Sequence, residues 1–91
     1  MAAETGPLEH PAQQDYERQL IQRIRDGDHE AFYVLIRPYE KRVYAAALAL
    51  LRNDADAEDC AQEAVLKAFK NIRQFRSEAK FSTWLIQIAI N

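Results

Sequence analysis

Asp54, Asp56, Glu58, Asp59 and Glu63 fall in a stretch that contains no lysine or arginine. Carboxylates at that density can hold a cation, work as acids and bases, or offer acceptors to a basic partner. A metal site needs carboxylates that converge from one face or from two helices, and neither His10 nor His29 is near the block in sequence. General acid–base chemistry is a further reading of the block, but nothing resembling a nucleophile, a phosphate loop or a paired histidine accompanies it. Two further readings stand ahead of these. The block is a solvated helix start, where acids suit the positive end of the helix dipole, or it is a docking face. The spacing of Asp59, Gln62 and Glu63 sharpens the second, because these side chains share one stripe of a helix. Carboxylates accept from Arg and Lys, and an amide both accepts and donates. Leu66 is an apolar residue on that polar face, which an interface would need and a solvated face would not.

Lys67, Lys70, Arg73, Arg76 and Lys80 follow, opposed only by Glu78. Arg76 and Lys80 flank Ser77 and Glu78, with Phe75 and Phe81 on either side. Bases displaced from a stack require cations for phosphate and polar or aromatic groups for their edges and faces. The alternative is a plain solvated turn. Asn91 adds an amide on the helix that follows. Trp84 lies on one stripe with Phe81 and Leu85, which marks it as core rather than as a stacking platform. The net charge is −2. That argues against a chain that grips duplex DNA alone, since such affinity comes from neutralising phosphates.

The elements that must position these residues are helices. The chain has 91 residues, 48% of them hydrophobic, enough for one small core. Two glycines and three prolines, with abundant Ala, Leu, Ile, Glu, Lys, Arg and Gln, favour helix over strand. Residues 1–14 contain Gly6, Pro7 and Pro11 without apolar periodicity and read as a disordered leader. A first helix runs from about Asp15 to Arg25, with Leu20, Ile21 and Ile24 on one side. Gly27 ends it and Asp28 caps the next. Phe32, Leu35, Ile36, Tyr39, Val43, Ala46, Ala47 and Leu50 follow the spacing of a buried stripe. Pro38 within it predicts a kink or two abutting helices. A third helix runs from Asp56 to about Arg73, with Asp54 or Asp56 near its N-cap and Ala61, Ala64, Val65, Ala68 and Ile72 buried. Residues 75–80 form a loop. Ser82 or Thr83 caps a fourth helix whose core side is Phe81, Trp84, Leu85 and Ile88. That helix meets no terminating residue at Asn91, so the chain reads as a piece of a longer protein. No run is apolar enough to span a bilayer, and no hydrophobic signal segment opens the chain. Cys60 is the sole cysteine, so no internal disulfide forms.

Ala31-Phe32, Tyr39, Val43-Tyr44, Ala47-Leu48, Asp56-Ala57-Glu58-Asp59 with Gln62-Glu63, Phe75-Arg76, Phe81-Ser82-Thr83-Trp84-Leu85, Ile88-Ala89 and Asn91 resemble, in order and spacing, region 2 of extracytoplasmic function (ECF) sigma factors. The resemblance runs from about Asp15 to the last residue. It implies an all-α bundle of about four helices over residues 15–91, C-terminally truncated, in a cytoplasmic, non-enzymatic protein without cofactor, metal or membrane insertion. It implies docking of Asp59, Gln62, Glu63 and Leu66 on the coiled-coil clamp helices of the RNA polymerase β′ subunit. It also implies reading, and help in melting, of the promoter −10 element on the non-template strand by Arg76, Ser77, Glu78, Lys80 and Asn91. An anti-sigma factor is a further implied partner. Members of that family often carry Tyr-Arg where this chain has Ile86-Gln87, so a phosphate contact from that helix is weakened here. The rival reading is a helical protein–protein adaptor on the same scaffold that does not read DNA. A carboxylate metal enzyme is a remoter one.

Overall fold

A computed structural model describes residues 11–76 and 78–91. Among these residues the chain is all-α. Its helices are α1 (Pro11–Arg25), α2 (Glu30–Ile36), α3 (Glu40–Leu51), α4 (Asp54–Asn71) and α5 (Phe81–Ile90), with single 3₁₀ turns at Arg37–Tyr39 and Ile72–Gln74. They fall into two compact units, one ending at Leu35 and one running from Ile36 to Asn91.

In the first unit, α1 starts four residues before the expected Asp15. Residues 11–14 of the expected leader are therefore helical, and residues 1–10 lie outside the described residues. The apolar stripe buries Leu20, Ile21 and Ile24 as the spacing predicts. Gly27 ends the helix at φ +107, a conformation that glycine adopts without steric cost. There the Asp28 N–H donates to the Arg23 carbonyl at 2.9 Å and the Gly27 N–H to the Ile24 carbonyl at 3.0 Å, which satisfies the last carbonyls. Asp28 has the expected capping role at the start of α2. Its carboxyl is held below the usual carboxylate range, first by a hydrogen bond from Arg23 and also by the backbone N–H groups of Ala31 and Glu30.

The second unit begins where Pro38 divides the long apolar stripe. The proline stands in the first turn of the 3₁₀ segment, where its missing N–H costs no helical bond. Of the two expected outcomes, a kink or two abutting helices, the second is found. The buried face of α3 comprises Val43 and Ala47. Leu50, expected to continue it, is 62% exposed, because the last turn of α3 runs on beyond the buried face. The helix ends on Arg52 in the left-handed conformation, φ 56. Asn53, rather than Asp54 or Asp56, is the N-cap of α4. Its backbone is extended, and its side-chain oxygen accepts from the Asp56 N–H at 2.9 Å. Ala57, Ala64, Ala68 and Ile72 are buried, while Ala61 and Val65 are half-buried.

Neither Ser82 nor Thr83 caps α5. The N-cap position falls on Lys80, without a side-chain bond, and Ser82 is buried inside the first turn. The reason is aromatic packing just before it. Phe81 lies 5.6 Å from Tyr39, 5.7 Å from Phe75 and 5.7 Å from Trp84 between ring centres. Holding Phe81 in that cluster starts the helix two residues earlier than a Ser82 cap would. The small residues of α3 and α4 let α3, α4 and α5 pack against one another around Val43, Ala47, Ala64, Ala68 and Leu85. The Cys60 thiol donates to the Ala89 carbonyl at 3.3 Å and ties α4 to α5.

Candidate interaction surfaces on the fourth helix

The N-terminal half of α4 turns two different faces outward and inward. Cys60 and Ala64 face the bundle. Asp59, Gln62, Glu63 and Leu66 all lie exposed on one stripe, as their spacing predicts, with Leu66 60% exposed. Structure adds what spacing could not show: α3 lies alongside. Glu40, Val43 and Tyr44 of α3 and Glu58, Ala61, Gln62, Val65 and Leu66 of α4 line a groove of about 680 Å³. Its floor is apolar and its rim carries Glu40 and Glu58. No base lines it. Gln62 and Leu66 border the groove, whereas Asp59 and Glu63 stand outside it on the same helix.

The α3 wall is held by a hydrogen bond. The Tyr44 hydroxyl donates to an Asp54 carboxylate oxygen at 2.9 Å. That bond raises the Tyr44 pKa, helped by desolvation and by the negative charges of Asp54 and Glu58. Asp54, read from sequence as part of the helix start, thus also braces α3. Glu40 and Tyr44, one turn apart, give no sign in sequence that they face α4. Only packing reveals them.

The basic loop is fastened at both ends. Phe75 packs edge-on against Phe81 and lies 5.1 Å from Trp84. Arg76, Glu78 and Lys80 between these anchors are exposed, and the Ala79 N–H donates to the Arg76 carbonyl at 3.2 Å. Ser77 lies outside the described residues. Asn91 does not join this loop. The helix α5 has ten residues, so its two ends stand about 15 Å apart at 1.5 Å per residue. Asn91 instead borders a cleft of about 430 Å³ with Lys67, Asn71, Trp84, Gln87 and Ile88. Trp84 is accordingly half-buried rather than core, with a side left at the cleft. Lys67, Asn71 and Gln87 were not distinguishable in sequence from ordinary solvated residues.

Among the described residues, no group of three or more His, Cys, Asp or Glu side chains converges to hold a metal ion. No helix among them is long and apolar enough to cross a membrane.

The sequence model of Sigma-70 region 2 matches residues 35–91. The RNA polymerase sigma-H factor of Pseudomonas aeruginosa is 36% identical over 78 residues, which are 86% of this chain and 40% of that protein. The ECF RNA polymerase sigma factor SigW of Bacillus subtilis is 39% identical over 74 residues, 81% of this chain and 40% of that protein. The ECF RNA polymerase sigma-E factor of Escherichia coli K12 is 36% identical over 72 residues, 79% of this chain and 37% of that protein. The chain thus spans about 40% of the length of the curated relatives it matches.

Proposed function

The chain belongs to the Sigma-70 region 2 family, and on that premise we propose that it serves transcription initiation by docking on core RNA polymerase and engaging the promoter −10 element. The observation that supports docking is the acidic stripe of α4 beside an apolar groove with an acidic rim. Such a surface suits a partner helix that offers an apolar side chain flanked by Lys or Arg. Clamp helices of the β′ subunit are the proposed partner, with Asp59 and Glu63 accepting charge-assisted hydrogen bonds. Gln62 fixes register by donating as well as accepting, and Leu66 covers the edge of the groove. Desolvation of these contacts at the centre of an interface makes each worth more than on an open surface.

On the DNA side, Arg76 and Lys80 hold backbone phosphate, while Ser77 and Glu78 meet the edge of an exposed base. A paired base hides that edge, so these groups act only on an opened strand. The non-template strand of the −10 element is the proposed ligand. The role is non-enzymatic, since the polymerase performs the chemistry, and it places the protein in the cytoplasm. Residues 15–91 are the proposed functional domain, wider than the matched stretch. Binding of the chain to core polymerase tests the reading. The Asp59→Ala/Glu63→Ala double variant should bind weakly at moderate salt while its far-UV circular dichroism stays native. Wild-type affinity in that variant would remove this face from the proposal.

A further inference from the structure

We propose that the groove between α3 and α4 binds an aliphatic polyamine, and that the bound polyamine excludes the partner helix from that groove. The groove holds about 680 Å³, within the roughly 300–1,000 Å³ range of small-ligand sites. Glu40 stands on its α3 wall and Glu58 on its α4 wall, and no lysine or arginine among the described residues lines it. Both carboxylates are exposed, and neither makes an ion pair among the described residues. Val43, Ala61 and Val65 form the apolar floor between them.

The spacing of the two charges follows from the hydrogen bond that joins the walls. The Tyr44 hydroxyl donates to Asp54 at 2.9 Å, and the charge of Glu58 also acts on that phenol. Glu58 therefore marks the Tyr44 end of the groove. Glu40 stands one turn back along α3, about 6 Å along the axis. An extended four-carbon spacer separates two ammonium groups by about the same 6 Å, given its bond lengths. Each ammonium is a donor only, and each carboxylate an acceptor only. The methylenes between them lie on the floor, as the stem of a lysine lies on apolar surface. The Tyr44 ring also lines the groove, and an aromatic face attracts a cation. A divalent metal ion fits less well. Calcium or magnesium takes about six oxygen ligands or more, and no group of three or more His, Cys, Asp or Glu side chains converges among the described residues. Exclusion of the partner rests on the reading of this groove as part of the polymerase-docking face.

The test titrates the isotope-labelled chain, followed by NMR, with putrescine, spermidine and magnesium chloride at one ionic strength held by sodium chloride. Both amines should shift the amide resonances of Val43, Ala61 and Val65, and magnesium should not. Glu40→Gln and Glu58→Gln should each weaken spermidine by about twofold to fivefold, the scale of one exposed ion pair. Asp56→Asn removes a charge of the same acidic block outside the groove and should change nothing. If magnesium gives the same shifts, or Asp56→Asn weakens spermidine as much as Glu40→Gln does, acid density alone holds the amine and the claim is overturned. Groove shifts that grow with protein concentration in the absence of amine would make a second copy the occupant and overturn it too. At about ten times its dissociation constant, spermidine should lower the apparent affinity for core polymerase by about tenfold. Groove shifts with unaltered polymerase affinity would overturn the exclusion while the outer stripe of Asp59 and Glu63 still docks. Polymerase binding without any groove shift would overturn the polyamine site and leave the docking reading intact. Spermidine binding with no polymerase binding at all would overturn the docking reading, and the exclusion with it.

Discussion

The two halves of α4 carry opposite chemistry on one continuous helix. Asp54, Asp56, Glu58, Asp59 and Glu63 occupy its first ten positions, and Lys67 and Lys70 its last five. Each half sits at the helix end whose dipole favours its charge. A helix start could be acidic for that reason alone. What distinguishes the acidic half is its neighbour, since α3 supplies the second wall of an apolar groove. The basic half has α5 instead, and α5 supplies amides and an indole. Charge along one helix therefore gives two surfaces of opposite sign, and the helix packed beside each half decides what chemistry accompanies the charge.

Both halves depend on the same packing, so the largest expected effect is common to them. Leu85 is fully buried on α5 where it meets α3 and α4. Leu85→Ala should cost about 2–5 kcal/mol of stability, lowering the denaturation midpoint and weakening polymerase and strand binding together. Loss of one activity with the other intact would show that the two surfaces do not share a scaffold.

A narrower change separates the halves. Ala61 lines the groove and is half-buried. Ala61→Trp should fill the groove and weaken core polymerase binding by about tenfold or more, on the scale of about 1.4 kcal/mol or above for a central interface position. Strand binding should not change. Unaltered polymerase affinity in a folded Ala61→Trp variant would show that the partner uses only the outer stripe of Asp59 and Glu63.

On the basic side, Arg76→Ala and Lys80→Ala should each reduce the salt slope of strand binding by about one and weaken all sequences alike. Polymerase affinity should hold. If sequence preference shifts instead, these cations read bases and the division of labour within the loop is wrong.

The smallest effect is electrostatic and confined to the acidic half. The hydrogen bond to Asp54, with desolvation and the charges of Asp54 and Glu58, raises the Tyr44 pKa. The folded state therefore favours the protonated phenol. Its stabilising contribution is present below the ordinary tyrosine pKa and is lost as pH rises through the raised value. Asp54→Asn should move the Tyr44 titration, followed by NMR, back down toward the ordinary value. An unmoved titration would mean that Asp54 does not brace α3.

The sequence by itself determined the helices, the stripe of Asp59, Gln62, Glu63 and Leu66, the break at Gly27 and the division at Pro38. These rest on local physics: helical periodicity, the left-handed freedom of glycine and the missing N–H of proline act within a few residues. The all-α class and family membership were legible for the same reason, because ordered short motifs survive as sequence. Caps were less legible. Asn53, Asp54 and Asp56 are equally good capping types, and only the extended backbone at Asn53 selects one. The start of α5 was settled by Phe81, whose ring joins those of Tyr39, Phe75 and Trp84 from three separate segments. The tertiary structure alone decided that Glu40 and Tyr44 face Glu58 and Gln62 across a groove. It alone placed Asn91 beside Lys67, Asn71 and Gln87. Side chains distant in the chain become neighbours only when α3, α4 and α5 pack, and the register of that packing is fixed by buried alanines and Leu85 that carry no functional chemistry themselves.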